Sequence, residues 1–444
     1  MRDMGELKNI LGINARSAEF LRLNKKRYRK RADDKLVTKR MLKRKGIPHP
    51  ELLGKLSSIA EVEVFDWMSL RGSFVIKPVQ GLEGGGIILV KRKAKYAGEW
   101  ILVGGGKIRV EDLKIHARDI IEGRFSRNNV PDQVMIEERV KLHPKFRKIS
   151  KGGAPDVRVI VYNRVPIMAM LRVPTEESEG KANLHQGALG LGIDMATGIT
   201  TYAVHKGKRI KYFPGTEKKI NGITIPHWDK ILRMASKTQI VSKLGYVAID
   251  MLIDEERGPV VLELNDQPGL SIQVANRNGL RRRLNRVEGL EVDSSKQGVK
   301  IAKALFASGF VKRIITIPGE KQEVGIFEVA KIKIGKKKSV EVEAKIDTGA
   351  YSTSIDQDLA EELGLLEKDN ILWEKMYKSS LGSQKRVVIR LIFWLRGKRV
   401  ATRASVVNRS GLRKKLLIGR RDLKDFVVTP GKFKPRDVKG KRIA

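Results

Sequence analysis

The feature that most constrains the fold is a pair of apolar runs separated by a short polar turn within residues 247–265. Two apolar runs that flank a polar turn ending in glycine predict a β-hairpin, because such runs pair as antiparallel strands. If residues 255–258 form the loop, Asp254 is expected to pair with Pro259. A hairpin of this kind places any polar side chains inside the runs at defined cross-strand positions.

Three polar side chains interrupt the apolar strands of this hairpin. The register places Asp250 opposite Glu263, and Asn265 lies on the same face as Glu263 because side chains alternate along a strand. Two acids facing each other across a ladder repel, so a cation between them is expected. Asp, Glu and Asn oxygens suit magnesium, which also binds substrate phosphates. A solvated polar face is the alternative interpretation.

The charge and the missing cysteines limit the function classes. A chain of 444 residues is long enough for roughly two to three domains. The formal net charge of +40 favours a polyanionic partner such as RNA, an anionic surface or an acidic polypeptide, and a merely charged surface is the alternative. The absence of cysteine excludes disulfides and thiolate chemistry. No apolar run reaches the length of a membrane span, which predicts a cytoplasmic protein.

The N-terminal region is helical in pattern and strongly basic. Within residues 22–45, lysines and arginines stand against only Asp33 and Asp34. A solvated helix face and a contact surface for RNA or an acidic partner both fit this imbalance. Residues 1–31 are predicted to be helical, and a separate helix is predicted over residues 34–46, which ends at Gly46.

Strand and helix patterns alternate up to about residue 310. Strands are predicted at 73–79, 86–91, 134–140, 157–163, 166–173, 247–253 and 259–264. Helices are predicted near 111–122, 229–243, 270–285 and 294–308. Strands and helices mixed with antiparallel hairpins indicate an α+β domain.

Residues 312–444 have a different character and read as a mostly β domain. Strands are predicted at 324–334, 339–346, 386–395, 399–407 and 415–418, with one helix at 357–363. The last dozen residues read as a basic tail.

A glycine-rich stretch after a predicted strand suggests phosphate binding. Lys77 lies in the strand, and Gly84 and Gly85 belong to the loop at residues 80–86. Glycines let backbone N–H groups approach phosphate oxygens, and a nearby lysine supplies positive charge. A plain hairpin turn is the alternative interpretation of this loop.

The order of the motifs is more specific than any one of them. The lysine–glycine loop is followed by an acidic strand end at 134–140, an Asp-x-Arg hairpin at 155–174, the ANLHQGA segment from residue 182, and the acidic hairpin. This series resembles the ATP-grasp superfamily over roughly residues 33–285. ANLHQGA and ELNDQPGL look most like the glutamate ligases that modify ribosomal proteins and related peptides.

The resemblance implies roles for individual residues at the nucleotide. Lys35 and Lys77 resemble the lysines that contact the nucleotide phosphates, beside the glycine loop. Glu138 and Arg139 look like the adenine hinge, and Asp156 looks like a ribose or nucleotide contact.

The resemblance also assigns the phosphate-lining segment and the metal. Lys181, Ala182 and Asn183 match the segment that lines the phosphates, and His185 falls in the same motif, where a structural histidine is the alternative. The implied magnesium ligands are Asp250, Glu263 and Asn265, with Mn²⁺ as the alternative ion.

The implied chemistry is amide formation driven by ATP. A carboxylate takes the γ-phosphoryl group and becomes an acyl phosphate, and an amine then displaces phosphate. Arg158 and Arg172 could hold the carboxylate or acyl phosphate, because a guanidinium matches both geometries. Glutamate is the plausible donor, and the acceptor is a peptide or small molecule. The chain departs from such ligases by its short N-terminal region and its unusual 95–128 segment, and so looks closer to a sugar-transfer-associated ATP-grasp branch.

A second constellation lies in the C-terminal domain. Asp347 follows an alternating strand and begins the triplet Asp-Thr-Gly, and residues 416–420 read LLIGR. Together they resemble the retropepsin-like (acid protease) family once labelled an ATP-dependent zinc protease, over roughly residues 323–430. Residues 312–444 contain no histidine or cysteine, so zinc has no support there. Asp356 and Asp358 are expected to be surface acids near a helix N-terminus.

Aspartic chemistry needs two carboxylates, and this domain offers one Asp-Thr-Gly. A homodimer that contributes Asp347 twice would satisfy the requirement. The alternative is a non-catalytic dimerisation or peptide-binding module.

The sequence therefore predicts an α+β protein with an ATP-grasp fold followed by a mostly β retropepsin-like domain. The predicted boundaries are 1–32 for a basic helical segment, 33–311 for the ligase, 312–432 for the protease-like domain and 433–444 for the tail. A ribosome- or RNA-associated binding protein with degenerate sites is the alternative of another class.

Overall fold

The chain divides into two compact units. The computed structural model describes residues 9–81, 84–150, 153–307, 322–335, 338–379, 382–409, 411 and 414–429. The first unit consists of Met1–Glu288 with Ser294–Val311, and the second of Gly289–Asp293 with Lys312–Ala444. Among the described residues, no helix is long and apolar enough to cross a membrane.

The first unit begins with short helical turns and two helices. The turns are Ile13–Ala15, Arg16–Phe20 and Leu21–Leu23, and the helices are α1 (Lys26–Asp33) and α2 (Lys35–Arg44). The carboxylate of Asp34 starts α2 by accepting the backbone N–H groups of residues 36 and 37. The predicted helix at 34–46 is therefore confirmed. The predicted helical segment in residues 1–31 is broken before α1, and its first eight residues lie outside the described part.

The first sheet is antiparallel and has six strands. They are β1 (Leu52–Leu56), β2 (Phe74–Pro78), β3 (Ile88–Lys93), β4 (Glu99–Leu102), β5 (Lys107–Arg109) and β6 (Val134–Glu138), in the order β1-β6-β2-β3-β4-β5. Two helices, α3 (Ile59–Val64) and α4 (Val110–Ile121), pack on one face of this sheet. Their apolar side chains form one core with Phe74 and Ile76 of β2. Because side chains alternate along β2, Lys77 points to the other face.

The second sheet carries most of the candidate site. Its strands are β7 (Asp156–Tyr162), β8 (Val165–Val173), β9 (Leu189–Ile193), β10 (Thr200–His205), β11 (Lys208–Ile210), β12 (Tyr246–Asp254) and β13 (Gly258–Asn265), in the antiparallel order β11-β10-β9-β8-β7-β12-β13. The helices of this region are α5 (Pro144–Arg147), α6 (Trp228–Ser242), α7 (Ser271–Asn276), α8 (Leu280–Val287) and α9 (Ser295–Phe306). All residues of β12 are buried, so an acid on this strand must be paired.

The hairpin β12–β13 keeps the predicted acid pair but uses a different turn. Asp250 does lie opposite Glu263, whereas Asp254 pairs with Gly258 rather than with Pro259. The turn is one residue shorter than predicted, since Gly258 adopts a left-handed φ of +76° and joins the strand. A β-bulge at Leu262 inserts one unpaired residue and restores the register of the acids.

The predicted helix at 270–285 is two helices. Arg277, between α7 and α8, has a left-handed φ of +47°, which ends the first helix. The other helices predicted for the first unit are confirmed within one or two residues as α4, α6 and α9.

The second unit is β-rich, as predicted. Its elements are β14 (Gln322–Val324), β15 (Phe327–Ile334), β16 (Lys338–Asp347), β17 (Ser354–Asp356), α10 (Gln357–Glu362), β18 (Ile371–Ser379), β19 (Gly382–Leu395), β20 (Lys398–Val407), β21 (Leu416–Gly419) and β22 (Phe426–Val428). The main sheet has the order β15-β16-β21-β17-β20-β19-β18, and β15 also pairs with β19. This extra pairing closes six strands into a ring around an apolar core. The predicted tail at 433–444 lies outside the described residues.

Candidate functional site

Four charged side chains form a continuous ionic chain on β7, β8 and β12. Arg158 donates from Nε and Nη2 to the two carboxylate oxygens of Asp250, at 2.7 and 2.6 Å. Arg172 binds both oxygens of Asp156 at 2.7 Å, and its Nη2 also reaches Asp250 at 2.7 Å. Each acid lies directly opposite an arginine in the strand register. The sheet itself therefore places these pairs, and their geometry is bidentate.

The two acids of this ionic chain differ in their protonation. Burial raises the pKa of Asp156 to about 6. The positive charge of Arg172 lowers this pKa, and the negative charge of Asp250 raises it. Burial also acts on Asp250, but Arg158 and Arg172 together hold its pKa well below the usual range. Asp250 receives both guanidinium groups and Asp156 only one, so a proton binds Asp156 first.

The arginines change the interpretation of Asp250. Sequence reasoning placed a cation between Asp250 and Glu263, and the structure supplies that positive charge from Arg158 and Arg172. Asp250 is 0% exposed, and its oxygens are engaged by the two guanidinium groups. Oδ2 accepts two of these three bonds and Oδ1 accepts one, so Oδ1 is the oxygen through which Asp250 could also bind a metal.

Glu263 and Asn265 are the more accessible members of the predicted metal set. Both are partly exposed at the end of β13, and the Oδ1 atom of Asn265 accepts the N–H of Gln267 at 2.9 Å. Among the described residues, no group of three or more His, Cys, Asp or Glu is arranged to hold a metal ion. One carboxylate and one amide oxygen suit magnesium that completes its shell with phosphate oxygens and water.

Lys77 belongs to a buried group of two lysines and one glutamate. The carboxylate of Glu137 pairs through Oε1 with Lys77 and through Oε2 with Lys39, the latter at 2.7 Å. Burial lowers the pKa of Lys39 while Glu137 opposes this, and the two ammonium groups keep the pKa of the buried Glu137 low. Sequence reasoning missed Lys39 and the pairing role of Glu137. The four-residue spacing of Lys35 and Lys39 on one helix was the available signal.

Lys35, at the start of α2, contacts the segment that follows β2 of the first sheet. Its Nζ donates to the carbonyl oxygen of Val79 at 2.9 Å and lies 3.4 Å from that of Gly81. Burial lowers the pKa of Lys35, and the charge of Glu263 on the second sheet opposes that shift, while Lys77 adds to it. The structure therefore brings together Lys35, Lys77 and Glu263, which sequence reasoning had placed in one site.

The glycine turn lies against the segment that contains Lys181. A Cβ atom on Gly84 would lie 3.6 Å from the Cδ of Lys181, so the two segments are neighbours. Gly84 and Gly86 both have left-handed φ angles, of +78° and +71°, and Gly85 lies between them. Residues 82 and 83 of the predicted loop lie outside the described part. A turn with these angles needs glycine and exposes backbone groups.

Two side chains from the unusual 95–128 segment hold the glycine turn. His116 on α4 has its Nε2 atom 2.9 Å from the carbonyl oxygen of Gly86. Phe125 packs beside His116 and fills the space where a Cβ atom on Gly86 would lie, at 2.7 Å. Sequence reasoning marked this segment but did not select these residues.

The segment 181–185 forms a capped turn. Asn183 accepts the backbone N–H of His185 at 3.0 Å through Oδ1, so its side chain starts the turn Leu184–Gln186. Ala182 is half-buried beside Lys181, whose Nζ lies 3.4 Å from Glu179. The His185 side chain is exposed.

The predicted adenine hinge is tied to its neighbours by backbone bonds. Glu138 exchanges hydrogen bonds with the backbone of Glu51, and its carboxylate also binds Arg257 at 2.6 Å. Arg139 donates its backbone N–H to the carbonyl oxygen of Ser73, and burial lowers the pKa of its guanidinium. The hinge is thus linked to the turn of the β12–β13 hairpin.

In the second unit, Asp347 ends β16 in a tight loop. Its Oδ1 atom accepts the N–H groups of Gly349 and Ala350 at 2.9 and 3.0 Å. In the parallel register Asp347 pairs with Gly419, whose Cβ position would lie 2.6 Å from the backbone of Ser352. The LLIGR element therefore packs against the Asp-Thr-Gly loop. Asp347 is partly exposed.

Asp356 is buried, so the expectation that it is a surface acid is wrong. It starts α10 as predicted for an acid at a helix N-terminus, and its Oδ2 atom accepts the N–H of Arg409 at 2.7 Å. Asp358 is exposed, as expected. Burial of Asp356 is tolerated because backbone donors satisfy its charge.

These features define the class of the first unit. Two antiparallel sheets bring a glycine turn, buried lysines and an acidic strand pair to one region, which defines an ATP-grasp enzyme. Residues 15–289 match the model of the sugar-transfer associated ATP-grasp family, and the chain belongs to this family. Enzymes with the ATP-grasp ligase fold use ATP and magnesium in general.

Solved structures of ATP-grasp ligases are among the similar folds. The ATP-grasp ligase PsnB complexed with a minimal precursor is 15% identical, with a TM-score of 0.32, over 60% of this chain and 62% of PsnB, which is less than two thirds of that protein. The D-alanine–D-alanine ligase of Bacillus anthracis complexed with ATP is 13% identical, with a TM-score of 0.34, over 61% of this chain and 67% of that one. Lpg0085 from Legionella pneumophila, of unknown function, is 20% identical, with a TM-score of 0.18, over 25% of this chain and 94% of its own. No curated protein matches the chain.

Proposed function

We propose that the first unit is an ATP- and magnesium-dependent carboxylate–amine ligase, with the ligase domain spanning residues 33–311. The observation that carries the proposal is the position of Lys35. Its Nζ donates to the backbone carbonyl of Val79, just after the strand of Lys77, and its pKa responds to the charges of Lys77 on the first sheet and Glu263 on the second. Positive charge from one sheet and an acid from the other are what a phosphate–metal pair requires. Family membership supports the same chemistry.

The proposed reaction has two steps. A donor carboxylate oxygen attacks the γ-phosphorus of ATP, and the bond from that phosphorus to the β,γ-bridging oxygen breaks. The products of this step are ADP and an acyl phosphate. An amine then attacks the acyl carbon, phosphate departs, and the nitrogen loses a proton. Bound magnesium would neutralise phosphate charge, and Glu263 and Asn265 would hold it. Asp250 would join them through Oδ1, which accepts one of its three guanidinium bonds.

The arginines of the ionic chain are proposed to orient the carboxylate. Arg158 and Arg172 use Nε and Nη2 for their bonds to the two acids, and in the part of the chain that the structure describes this leaves Nη1 of each for a substrate oxygen. Their side chains are 10% and 12% exposed, so a substrate carboxylate can reach an edge of each. The acids fix both guanidinium planes, which reduces the entropy lost on binding.

Glutamate is the proposed donor, and a peptide or small amine the acceptor. The net charge of +40 favours acidic partners, and this includes an acidic peptide or a ribosomal RNA neighbourhood. Mass spectrometry of candidate acceptors incubated with ATP, magnesium and an amino-acid panel identifies the donor from the mass added.

Replacing Glu263 with alanine should reduce magnesium-dependent ATP turnover by at least about 100-fold, because the carboxylate ligand is lost and Asn265 is the one accessible ligand that remains. ADP release in the presence of the amino-acid panel measures the effect. Glu255→Ala is the matched control, since Glu255 lies on the exposed turn of the same hairpin and its carboxylate accepts hydrogen bonds from Arg147. Intact turnover in Glu263→Ala would contradict the ligase, and no turnover in the wild type would favour the RNA-binding alternative.

We also propose an aspartic peptidase-like role for the second unit, within residues 312–432. The support is Asp347, which is held at the end of a strand by two backbone N–H groups. The second carboxylate would come from Asp347 of a second copy, and a peptide-binding module without catalysis is the alternative.

Asp347→Asn should reduce peptide cleavage to background, because an amide cannot share the proton of an aspartate pair. Cleavage of a mixed peptide pool, followed by mass spectrometry, measures it, and Asp358→Asn is the control at an exposed acid of the same unit. Cleavage that survives in Asp347→Asn would exclude the aspartic mechanism, and a monomer by light scattering would count against the shared site.

A further inference from the structure

The N-terminal strap, defined here as residues 9–29, is fitted closely to the end of the second sheet. Two apolar side chains anchor it: Leu11 is 1% exposed, and the ring of Phe20 lies 5.6 and 5.7 Å from those of Tyr162 and Tyr246. The backbone of Leu11 also exchanges hydrogen bonds with the side chain of Gln273, at 2.8 and 3.1 Å. These contacts fix the strap on the helix and strand that flank the β12–β13 hairpin.

Two glycines mark where the strap crosses the sheet and helix. A Cβ atom on Gly279 would lie 2.0 Å from the carbonyl oxygen of Asn9, and one on Gly245 would lie 2.6 Å from the Cβ of Leu23. A side chain at either glycine would therefore clash with the strap and force it away. The strap is therefore an integral part of the first unit.

The polar side chains of the strap converge on the residues that follow Asn265. Asn24 bonds the backbone N–H and carbonyl of Tyr246, at the start of β12, at 3.0 and 2.7 Å, and the carbonyl of Asp266 at 3.0 Å. Arg29 binds the Asp266 carboxylate at 2.6 Å. These bonds tie the beginning of β12 to the residue that follows β13.

A short relay of hydrogen bonds leads from the strap to Asn265 itself. The Nη1 atom of Arg16 donates to the carbonyl oxygens of Pro268 and Gln267, at 2.8 and 3.3 Å. The N–H of Gln267 in turn donates to the Oδ1 atom of Asn265 at 2.9 Å. Arg16 thus holds the two peptide groups that directly follow the one whose N–H orients the side-chain amide of Asn265.

We propose that the strap positions Asn265 for metal binding, with Arg16 as the positioning residue that acts through Gln267. The proposal rests on the proposed function, because it assumes that Asn265 is a metal ligand. Groups that orient a ligand from outside the first coordination sphere control metal affinity, and their loss weakens binding about 10–100-fold. Asn265 lies at the end of the β12–β13 hairpin that is farthest from its turn, and the strap supplies the orienting groups there.

The test measures Mn²⁺ affinity of the full chain with a saturating non-hydrolysable ATP analogue, by electron paramagnetic resonance of free Mn²⁺. Arg16→Ala should weaken Mn²⁺ binding about tenfold, and Arg16→Lys should recover part of the loss because an ammonium can still donate to one carbonyl. Ser17→Ala is the matched control, since Ser17 is exposed and its hydroxyl donates to the carbonyl oxygen of Ile13 within the strap. Unchanged thermal unfolding separates positioning from general instability.

A double-mutant cycle tests the route through Asn265. Arg16→Ala should cause no further loss of Mn²⁺ affinity in an Asn265→Ala background, because the relay then has no ligand to orient. An equal loss in both backgrounds, or an Arg16→Ala affinity equal to that of Ser17→Ala, would overturn the inference. If Arg16→Ala unfolds, Arg16→Lys replaces it in the same cycle: its loss of Mn²⁺ affinity should appear in the wild-type background and be absent in the Asn265→Ala background. Wild-type protein that binds the nucleotide but no Mn²⁺ would instead refute the proposed metal site.

Discussion

Arg172→Met should lower the free energy of unfolding by roughly 3–5 kcal/mol, the range for removing one partner of a buried ion pair. Arg172 holds both oxygens of Asp156 and one oxygen of Asp250, and both acids are buried. Methionine fills a similar volume but leaves Asp156 without a counter-charge. Urea denaturation monitored by circular dichroism measures the loss.

The size of this effect distinguishes a buried network from a surface pair. Arg118→Met removes an arginine that pairs with Glu63 on the exposed side of α4, and a much smaller loss is expected there. Arg172→Lys should fall between wild type and Arg172→Met, because an ammonium keeps the charge but cannot bind two oxygens in parallel. A loss for Arg172→Met no larger than that for Arg118→Met would contradict the ionic chain.

Glu137→Gln should also be strongly destabilising at neutral pH, by roughly 3–5 kcal/mol, because two buried ammonium groups lose their shared carboxylate. Weaker ATP binding is expected too, since Lys77 would no longer be held in place. Urea denaturation and a nucleotide-binding isotherm measure the two effects. A combined Glu137→Gln and Lys39→Met variant should recover part of the stability, because one uncompensated charge is then removed.

The pH dependence of Glu137→Gln provides a sharper readout. Burial already lowers the pKa of Lys39 in the wild type, and loss of the Glu137 charge removes the main opposing effect. The folded-state pKa of Lys39 then falls further below the unfolded value of about 10.4. Between those two values the unfolded state binds more protons, so stability rises with pH. The deficit of the variant should therefore be smaller at pH 9.5 than at pH 7, and a constant deficit would contradict unpaired buried lysines.

The strands that carry the candidate site were predictable because their burial patterns are regular. Patterns at 157–163, 166–173, 247–253 and 259–264 correspond to β7, β8, β12 and β13 within one residue at most ends. The opposed acids were predicted correctly through two compensating differences, a shorter turn and a bulge at Leu262. A bulge leaves no mark in the hydrophobic alternation that a prediction from sequence can use.

The partners of the site residues were not predictable in the same way. Arg158 and Arg172 were selected as substrate-binding groups, whereas their bonds to Asp250 and Asp156 depend on the lateral order of β8, β7 and β12. His116 and Phe125 reach the glycine turn only through the packing of α4 on the first sheet. Short strands such as β1, β4 and β9–β11 were not predicted, because they carry little periodic signal.

The ring of strands in the second unit has a consequence for the order of folding. Ala344 on β16 pairs with Leu416 on β21, so β16 cannot complete its pairing until the much later strand β21 has been synthesised. Closing a chain segment of this length is costly in entropy and slows folding compared with adjacent hairpins. During synthesis the edge of β16 therefore stays open until residues 416–419 leave the ribosome. A chain that stops before them would expose the unpaired backbone groups of this edge, which can pair with another chain.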